Sequence, residues 1–176
     1  MTDRVLIAGI GNIFLGDDAF GVEFVRALLH QPKLAGVRMV DFGIRSLDLA
    51  YALLDPWEAV ILVDAVPRGE EPGTLYTIEP DLTNLAAEPG GVAIDAHGMD
   101  PVRVLQLAAS MGDLPSRIFV LGCEPADCGG EEGRMGLTPT VEVAIPEAIR
   151  MLRQLVRRIL ENTETVLKEN SLHEVR

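Results

Sequence analysis

Four short apolar segments, each running into glycine or aspartate, constrain the fold of this 176-residue chain more than any other feature. They are rich in valine and isoleucine, and they read VLIAGIG, VRMVDFG, AVILVDA and RIFVLGC. Uninterrupted apolar segments of this length are typical of strands that are buried on both faces, as in a parallel sheet covered by helices. The segments therefore predict the central strands of an α/β protein.

Helical patterns separate these strands. After the paired acids Asp17 and Asp18, apolar residues recur at a helical period, and either acid is placed to cap that helix. Similar patterns start at Ser46 and at Asp100, where Pro101 would occupy the first helical position. The alternation of strand and helix predicts a three-layer αβα sandwich with a mostly parallel or mixed sheet and right-handed crossovers.

The chain is short enough for a single hydrophobic core. A further strand, GTLYTIE, follows the third segment, and the longest helical pattern begins near Pro146 and loses its periodicity after Asn162. We therefore expect one α/β domain over residues 1–162 and a frayed C-terminal tail over residues 163–176.

Charge and composition exclude several classes of partner. The formal net charge of −12 argues against nucleic-acid binding, which depends on Lys and Arg neutralising phosphates. No apolar stretch approaches the ~20 residues of a membrane-spanning helix, so we expect no membrane segment. The first apolar run continues into GIGN instead of a cleavage site, so we interpret it as a strand rather than a signal peptide and expect a cytoplasmic protein.

Acidic side chains gather where the predicted strands end. In α/β sheets, ligands bind beyond the carboxyl ends of the strands. The polar residues expected at that edge are the acids Asp17, Asp18, Asp41, Asp64 and Glu124 and the loop histidine His97. If the sheet is parallel, these residues share one strongly acidic edge.

Three of these residues suit a metal ion when they are taken together. Alone, Asp18 could cap a helix, Asp64 could stabilise a turn, and His97 could be an ordinary loop histidine. As a set, one imidazole and two carboxylates from separate loops would leave open positions on a divalent metal such as Zn²⁺ or Ni²⁺. A cation would also neutralise carboxylates that otherwise repel one another.

Nucleotide binding and nucleophilic catalysis fit the sequence less well. A dinucleotide-binding loop would need glycine at position 14, which is Phe14, and no Walker or G-x-S-x-G motif occurs. Cys123 and Cys128 are too few for a structural zinc site. Cys123 could form a Cys/His hydrolase with His97, or it could be buried and inert.

Five segments together resemble the hydrogenase maturation proteases. These are GIGNIFLGDDAFGVEFV, VDFGIRSLDLAYALLD, ILVDAVPRGEEPGTL, DAHGMDPVRVLQLA and LGCEPADCGGEEGRMGLTPTVEVAIPEAI. Proteins of that family are endopeptidases that remove the C-terminal extension of the [NiFe] hydrogenase large subunit once its nickel is in place. The similarity runs from about Val5 to Leu160, and it implies a twisted, mostly parallel or mixed sheet with helices on both sides.

The resemblance also implies roles for single residues. The family's metal-binding set falls on Asp18, Asp64 and His97, and Asp41 matches the acid of its Asp-Gly-Gly-Thr stretch. In the family the metal is the nickel of the immature substrate, so it is a recognition element rather than a permanent cofactor; zinc or cadmium would replace it in isolation. The implied partner is the large-subunit precursor.

This chain departs from the family pattern at two places. Asp18 stands where many relatives have the longer Glu, and the segment Phe42–Ser46 replaces Gly-Gly-Thr. The second change implies less flexibility beside the site, with Arg45 either solvated or in contact with a different partner.

Metal chemistry suggests a mechanism and leaves two alternatives open. A divalent ion at the site would polarise the scissile carbonyl or activate water, while Asp17 or Asp41 handles a proton. Within the family, the alternative is that nickel only docks the substrate. From a different class, the alternative is a non-enzymatic metal-binding or maturation chaperone module.

Overall fold

A five-stranded mixed sheet forms the centre of the part of the chain that the structure describes. The computed structural model describes residues 3–82 and 100–173, with side chains as far as residue 162. The strands are β1 (Val5–Ile10), β2 (Val37–Gly43), β3 (Ala59–Ala65), β4 (Leu75–Ile78) and β5 (Ile118–Cys123). Their order is β2-β1-β3-β5-β4, and only β4 runs antiparallel to its neighbour. The predicted α/β fold with a mostly parallel sheet is confirmed.

Helices cover both faces of this sheet. They are α1 (Phe20–Leu29), α2 (Ser46–Ala52), α3 (Pro101–Met111), α4 (Pro139–Glu142) and α5 (Ile145–His173), and a single 3₁₀ turn, Gly16–Ala19, precedes α1. Successive residues of a strand point to opposite faces. In β1, Val5 and Ile7 accordingly join the core with α1 and α5, whereas Leu6 and Ala8 join the core with α2 and α3. This arrangement is the expected three-layer sandwich.

The helix starts confirm one expected cap and correct another. Asp100 accepts a hydrogen bond from the backbone N–H of Val102, so it caps α3 as predicted. The prediction that Asp17 or Asp18 caps α1 is wrong, because the capping position is Ala19 and no side chain bonds there. Both acids lie in the 3₁₀ turn before the helix, where their carboxylates accept other donors.

The last helix extends further than its apolar pattern. Helix α5 continues to His173, beyond the Asn162 at which the periodic pattern ends. The division into a domain over residues 1–162 and a tail over residues 163–176 stays a prediction. Within the described ranges, no helix combines the length and the apolar character that crossing a membrane requires.

Helix α1 lies unusually close to the sheet. A Cβ atom added at Gly21 would stand 2.0 Å from the carbonyl oxygen of Val63 and 2.3 Å from that of Ile10. On the sheet side, a Cβ at Gly9 would stand 2.4 Å from the carbonyl oxygen of Gly21. Because neither glycine has a side chain, the start of α1 sits directly over the ends of β1 and β3.

Gly21→Ala tests this close approach. The added methyl group meets backbone carbonyls that cannot rotate away, and overpacking of this kind costs about 1–3 kcal/mol. We expect the free energy of unfolding, measured by urea titration, to fall by the upper end of that range. Gly112→Ala is the control, because a Cβ there would meet only the flexible end of Leu54, at 3.3 Å, and the backbone is extended. Equal losses in both variants would contradict the close packing.

Candidate active site

The strand order reverses direction between β1 and β3. Helix α1 follows β1 on one face and leads to β2, whereas α2 follows β2 on the other face and leads to β3 on the far side of β1. The loops diverge at such a switch point and leave a crevice at the carboxyl ends of the strands. Asp18 follows β1 and Asp64 lies near the end of β3, so these two predicted residues meet at the crevice.

A cleft of about 580 Å³ opens at this point, and we call it the acid cleft. Its carboxylates are Asp18, Asp64 and Asp100. The rest of its described wall is largely apolar, with Ala65, Val66, Pro67, Ile78, Pro80, Pro101, Val102 and Val120, together with Arg103. Pockets with an apolar lining and a few convergent polar groups are typical ligand sites. Asp100 was not among the predicted site residues. Its position directly before α3, at the same edge of the sheet, could have indicated that it belongs to the site.

Asp18 is half-buried and held by the backbone of the preceding turn. Its Oδ2 atom accepts a hydrogen bond from the N–H of Asn12 at 2.7 Å. Burial raises the pKa of this carboxyl, and the Asn12 hydrogen bond partly offsets the effect. The turn therefore fixes the direction of the carboxylate and leaves Oδ1 without a hydrogen bond to any described residue.

Asp64 is the most strongly perturbed acid of the cleft. Only 3% of the residue is exposed, and its Oδ1 atom accepts a hydrogen bond from the N–H of Ala65 at 2.9 Å. Burial is the main reason that its pKa lies well above the usual value; the negative charge of Asp18 adds to the shift, and so, more weakly, does that of Asp100. A carboxyl in this position retains a proton or gains from a nearby cation.

Asp17 points away from the acid cleft and anchors a distant loop. It is fully buried, and its carboxylate accepts four hydrogen bonds, from the N–H groups of Ala126, Asp127 and Thr138 and from the Thr138 hydroxyl, at 2.7 to 3.0 Å. A proton-handling role would require Asp17 to release these donors.

Backbone hydrogen bonds complete this attachment of the glycine-rich acidic loop to the turn after β1. The N–H of Gly16 donates to the carbonyl of Arg134 at 2.7 Å, and the N–H of Arg134 donates to the carbonyl of Phe14 at 2.8 Å. The loop, which connects β5 to α4, is thus tied at residues 126, 127, 134 and 138 to the segment that carries Asp18.

Glu124 serves another turn and lies outside the lining of the acid cleft. It accepts hydrogen bonds from the N–H groups of Arg68 and Gly69 and from the Tyr76 hydroxyl. The Tyr76 hydrogen bond is the main reason that the pKa of Glu124 is lowered, and burial and the Glu124 contact raise the pKa of Tyr76 to about 12. Glu124 holds the turn between β3 and β4 in place.

The structure does not bring Asp41 into the acid cleft. Asp41 lies in β2, two residues before its end, and it lines a separate groove with Asn12, Phe14 and Ile44. Its carboxylate makes no hydrogen bond or ion pair with any described residue. The predicted edge of the sheet therefore contains two neighbouring depressions.

The environment of Cys123 disfavours a cysteine hydrolase. The residue is fully buried, and burial, together with the charges of Asp17 and Glu124, raises its thiol pKa to about 12. A nucleophilic cysteine needs the opposite shift, because the thiolate is the reactive form. Neither Cys123 nor the exposed Cys128 is in a disulfide.

The third predicted metal ligand, His97, lies outside the described residues. Within 3–82 and 100–173, no group of three His, Cys, Asp or Glu side chains is placed to hold a metal ion. Asp18 and Asp64 share a cleft and can contribute two oxygen ligands. The complete set of Asp18, Asp64 and His97 stays a prediction.

Comparisons with known proteins agree with this geometry. The profile of the hydrogenase maturation protease family matches residues 22–155. The chain is 37% identical to the hydrogenase expression/formation protein HupD of Rhodobacter capsulatus over 155 residues, 86% of this chain and 72% of that protein. It is 27% identical to the hydrogenase 2 maturation protease of Escherichia coli, over 97% of this chain and 99% of that protein.

A solved structure shows the same fold. The hydrogenase maturating endopeptidase HybD of Escherichia coli superimposes with a TM-score of 0.69 at 24% identity, over 88% of this chain and 93% of that one. The mixed sheet and the profile match define an α/β protein of the maturation endopeptidase class. The chain belongs to the hydrogenase maturation protease family, which confirms the resemblance in the sequence.

Substituting the two adjacent acids separates their roles. In Asp17→Asn, an NH₂ group replaces one of the two oxygens that accept the loop's hydrogen bonds, so at least one buried N–H loses its acceptor. We therefore expect the free energy of unfolding, measured by urea titration, to fall by about 3 kcal/mol. Asp18→Asn keeps an acceptor for Asn12 and relieves a half-buried charge, so we expect less than about 1 kcal/mol of change. Equal losses would show that Asp17 is not the anchor.

Asp64→Asn tests whether the raised pKa of the buried Asp64 carboxyl lowers the stability of the fold. Because the folded pKa lies above the unfolded value of 3.8, ionisation of Asp64 weakens the metal-free fold as pH rises through the folded pKa. We expect the variant to melt a few degrees higher than the unaltered chain at pH 7, with the difference shrinking as pH falls toward 4. Asp113→Asn, at an exposed position, is the control. A lower melting temperature for Asp64→Asn at pH 7 would contradict the shift.

Proposed function

We propose that this protein is an endopeptidase that removes the C-terminal extension of a [NiFe] hydrogenase large-subunit precursor after nickel insertion. Family membership supports hydrolysis of peptide bonds in hydrogenase maturation. The observation that carries the finer proposal is the meeting of Asp18 and Asp64 at the switch point, in a cleft large enough for a peptide segment. The two unpaired cysteines are consistent with action in the cytoplasm, a reducing compartment.

The nickel of the substrate is the cation that the acid cleft recognises in this proposal. Asp64 is nearly fully buried beside the charges of Asp18 and Asp100, so a divalent ion relieves a repulsion that otherwise only a bound proton would relieve. His97 is the proposed third ligand. Zinc or cadmium would occupy the same ligands when the protein is isolated.

The side chains of the cleft would orient the precursor around its nickel. The ion, when bound, supplies Lewis acidity at the scissile carbonyl or at water. Asp18 is held by Asn12 and presents its carboxylate from a fixed turn, and the apolar side chains of the cleft, among them Val66 and Val102, exclude water from the bound peptide. Neither of the two acids predicted to handle a proton lines the acid cleft: Asp41 lies in the separate groove and Asp17 has its oxygens occupied, so their catalytic roles stay predictions.

A cleavage assay tests the enzymatic proposal. Purified precursor of the cognate large subunit, with and without nickel, is incubated with the chain, and its mass is followed by electrophoresis and mass spectrometry. We expect shortening only in the nickel-loaded sample, because recognition of the ion positions the bond. An absence of any shortened product in both samples, with a stable complex formed, would instead support a maturation chaperone module.

Single substitutions then test the ligand set. We expect Asp18→Ala, Asp64→Ala and His97→Ala each to lower the rate of processing at least about 100-fold, because replacing even a residue that only hydrogen-bonds to a metal ligand lowers metal affinity by about 10- to 100-fold. Asp113→Ala, at an exposed position, should process normally. Normal processing by His97→Ala would remove His97 from the site, and normal processing by Asp64→Ala would overturn the proposed role of the acid cleft.

A further inference from the structure

A second depression lies beside the acid cleft and has no part in the proposed nickel recognition. It has a volume of about 360 Å³, and it lies between the turn after β1, helix α1 and the end of β2. We call it the Phe14 groove; its described lining is Gly11–Phe14, Val22, Arg26 and the segment 41–45. Phe14 and Ile44, at 58% and 55% exposed, form its apolar rim.

The backbone of β2 builds this groove. Phe42 is buried in the core with α2 and α3, so the neighbouring Asp41 points to the opposite face, where α1 lies. The pairing of β1 with β2 is irregular between Gly9 and Ile10, and Gly43 has a φ of 55°, which favours glycine. This turn of the chain brings Ile44 out to the surface, where it lines the groove with Phe14.

Three charged side chains line the groove in the described part of the chain, and one of them, an acid, has no partner there. Arg26 pairs with Glu23 at 2.6 Å. Arg45 lies 3.6 Å from Asp48 and donates to the carbonyl oxygens of Phe42 and Asp41, so its guanidinium is committed to its own segment. Asp41 alone among the charged groups of the described lining has no hydrogen bond or ion pair to a described residue. A basic group of an occupant that lies directly beside the Asp41 carboxylate would therefore find an acceptor that no described residue uses.

The groove and the acid cleft are joined through one residue. Asn12 lines the groove, and its N–H donates to the Asp18 carboxylate of the acid cleft at 2.7 Å. The N–H of Gly11 bonds to the carbonyl of Gly43 at 3.1 Å, which closes the floor between the two strand ends. An extended peptide bound across the carboxyl ends of β2, β1 and β3 would pass from the groove directly to Asp18 and Asp64.

We infer that the Phe14 groove binds the C-terminal extension of the precursor, with an apolar side chain between Phe14 and Ile44 and a basic side chain beside Asp41. The inference rests on the proposed function. Nickel stays with the mature large subunit, so the part of the substrate that carries it occupies the acid cleft. The released extension is then the segment that continues past Asn12 into the groove, and the groove selects which extensions are removed.

Kinetics on the nickel-loaded precursor test this assignment. We expect Phe14→Ser and Ile44→Ser to raise KM about tenfold each, because each removes apolar contact with the bound peptide, and to leave kcat within about twofold. Val143→Ser is the matched control, because Val143 is 73% exposed and lines neither depression. Thermal melting confirms that each variant is folded, as expected for exposed positions.

A charge exchange tests the role of Asp41. Asp41→Lys should raise KM for the unaltered precursor, and a precursor whose extension carries Glu in place of its basic residue should restore KM to within about twofold. A loss of kcat that the exchanged precursor does not restore would place Asp41 in proton transfer and overturn its role in the groove.

The outcomes separate the inference from the proposed function. If the unaltered chain does not shorten the precursor, the proposed function fails and the inference fails with it. If processing is normal and KM is unchanged in Phe14→Ser and Ile44→Ser, the inference alone is overturned. Size-exclusion chromatography of the same variants adds one further outcome. If the unaltered chain elutes as a dimer, and the variants elute as monomers with unchanged KM, the groove binds a second copy of the chain instead.

Discussion

Helix α1 packs against β1 and β3 with no space for a side chain at Gly21, and the geometry of the site depends on this contact. The short distance places the 3₁₀ turn Gly16–Ala19 directly beyond the strand ends. Asp18 and Asp64 therefore line the same cleft, although the resemblance implies a longer Glu at position 18. The close approach of the backbone at Gly9 and Gly21 sets where the Asp18 carboxylate begins.

The same turn directs two adjacent carboxylates in opposite directions. Asp17 is satisfied by four donors from a loop more than a hundred residues away in sequence, so its burial strengthens the fold. Asp18 and Asp64 have one backbone donor each and repel one another, so their burial weakens it. Sites that bind cations commonly carry such a cost, because the ligand supplies the compensation.

The end of β2 and the residues after it differ from the family pattern, and this difference changes the surface beside the site. At the positions where the resemblance implies two glycines and a threonine, Phe42 packs in the core with α2 and α3, and Ile44 is exposed and lines the same groove as Phe14. Arg45 is exposed directly before α2, donates hydrogen bonds to the carbonyls of Phe42 and Asp41, and lies 5.9 Å from the centroid of the Phe42 ring, so it stiffens the segment from the solvent side. The reduced flexibility inferred from the sequence is consistent with these contacts.

The α/β sandwich could be predicted from the sequence, because buried strands and amphipathic helices have distinct apolar periods. The meeting of Asp18 and Asp64 followed from that prediction, because parallel strands place their ends at one edge. The anchoring role of Asp17, the turn held by Glu124 and the position of Asp41 in a separate groove became visible in the folded chain. These outcomes depend on hydrogen-bond donors up to 121 residues away and on which side of a strand a residue faces after an irregular pairing. Local sequence carries no record of such distant partners.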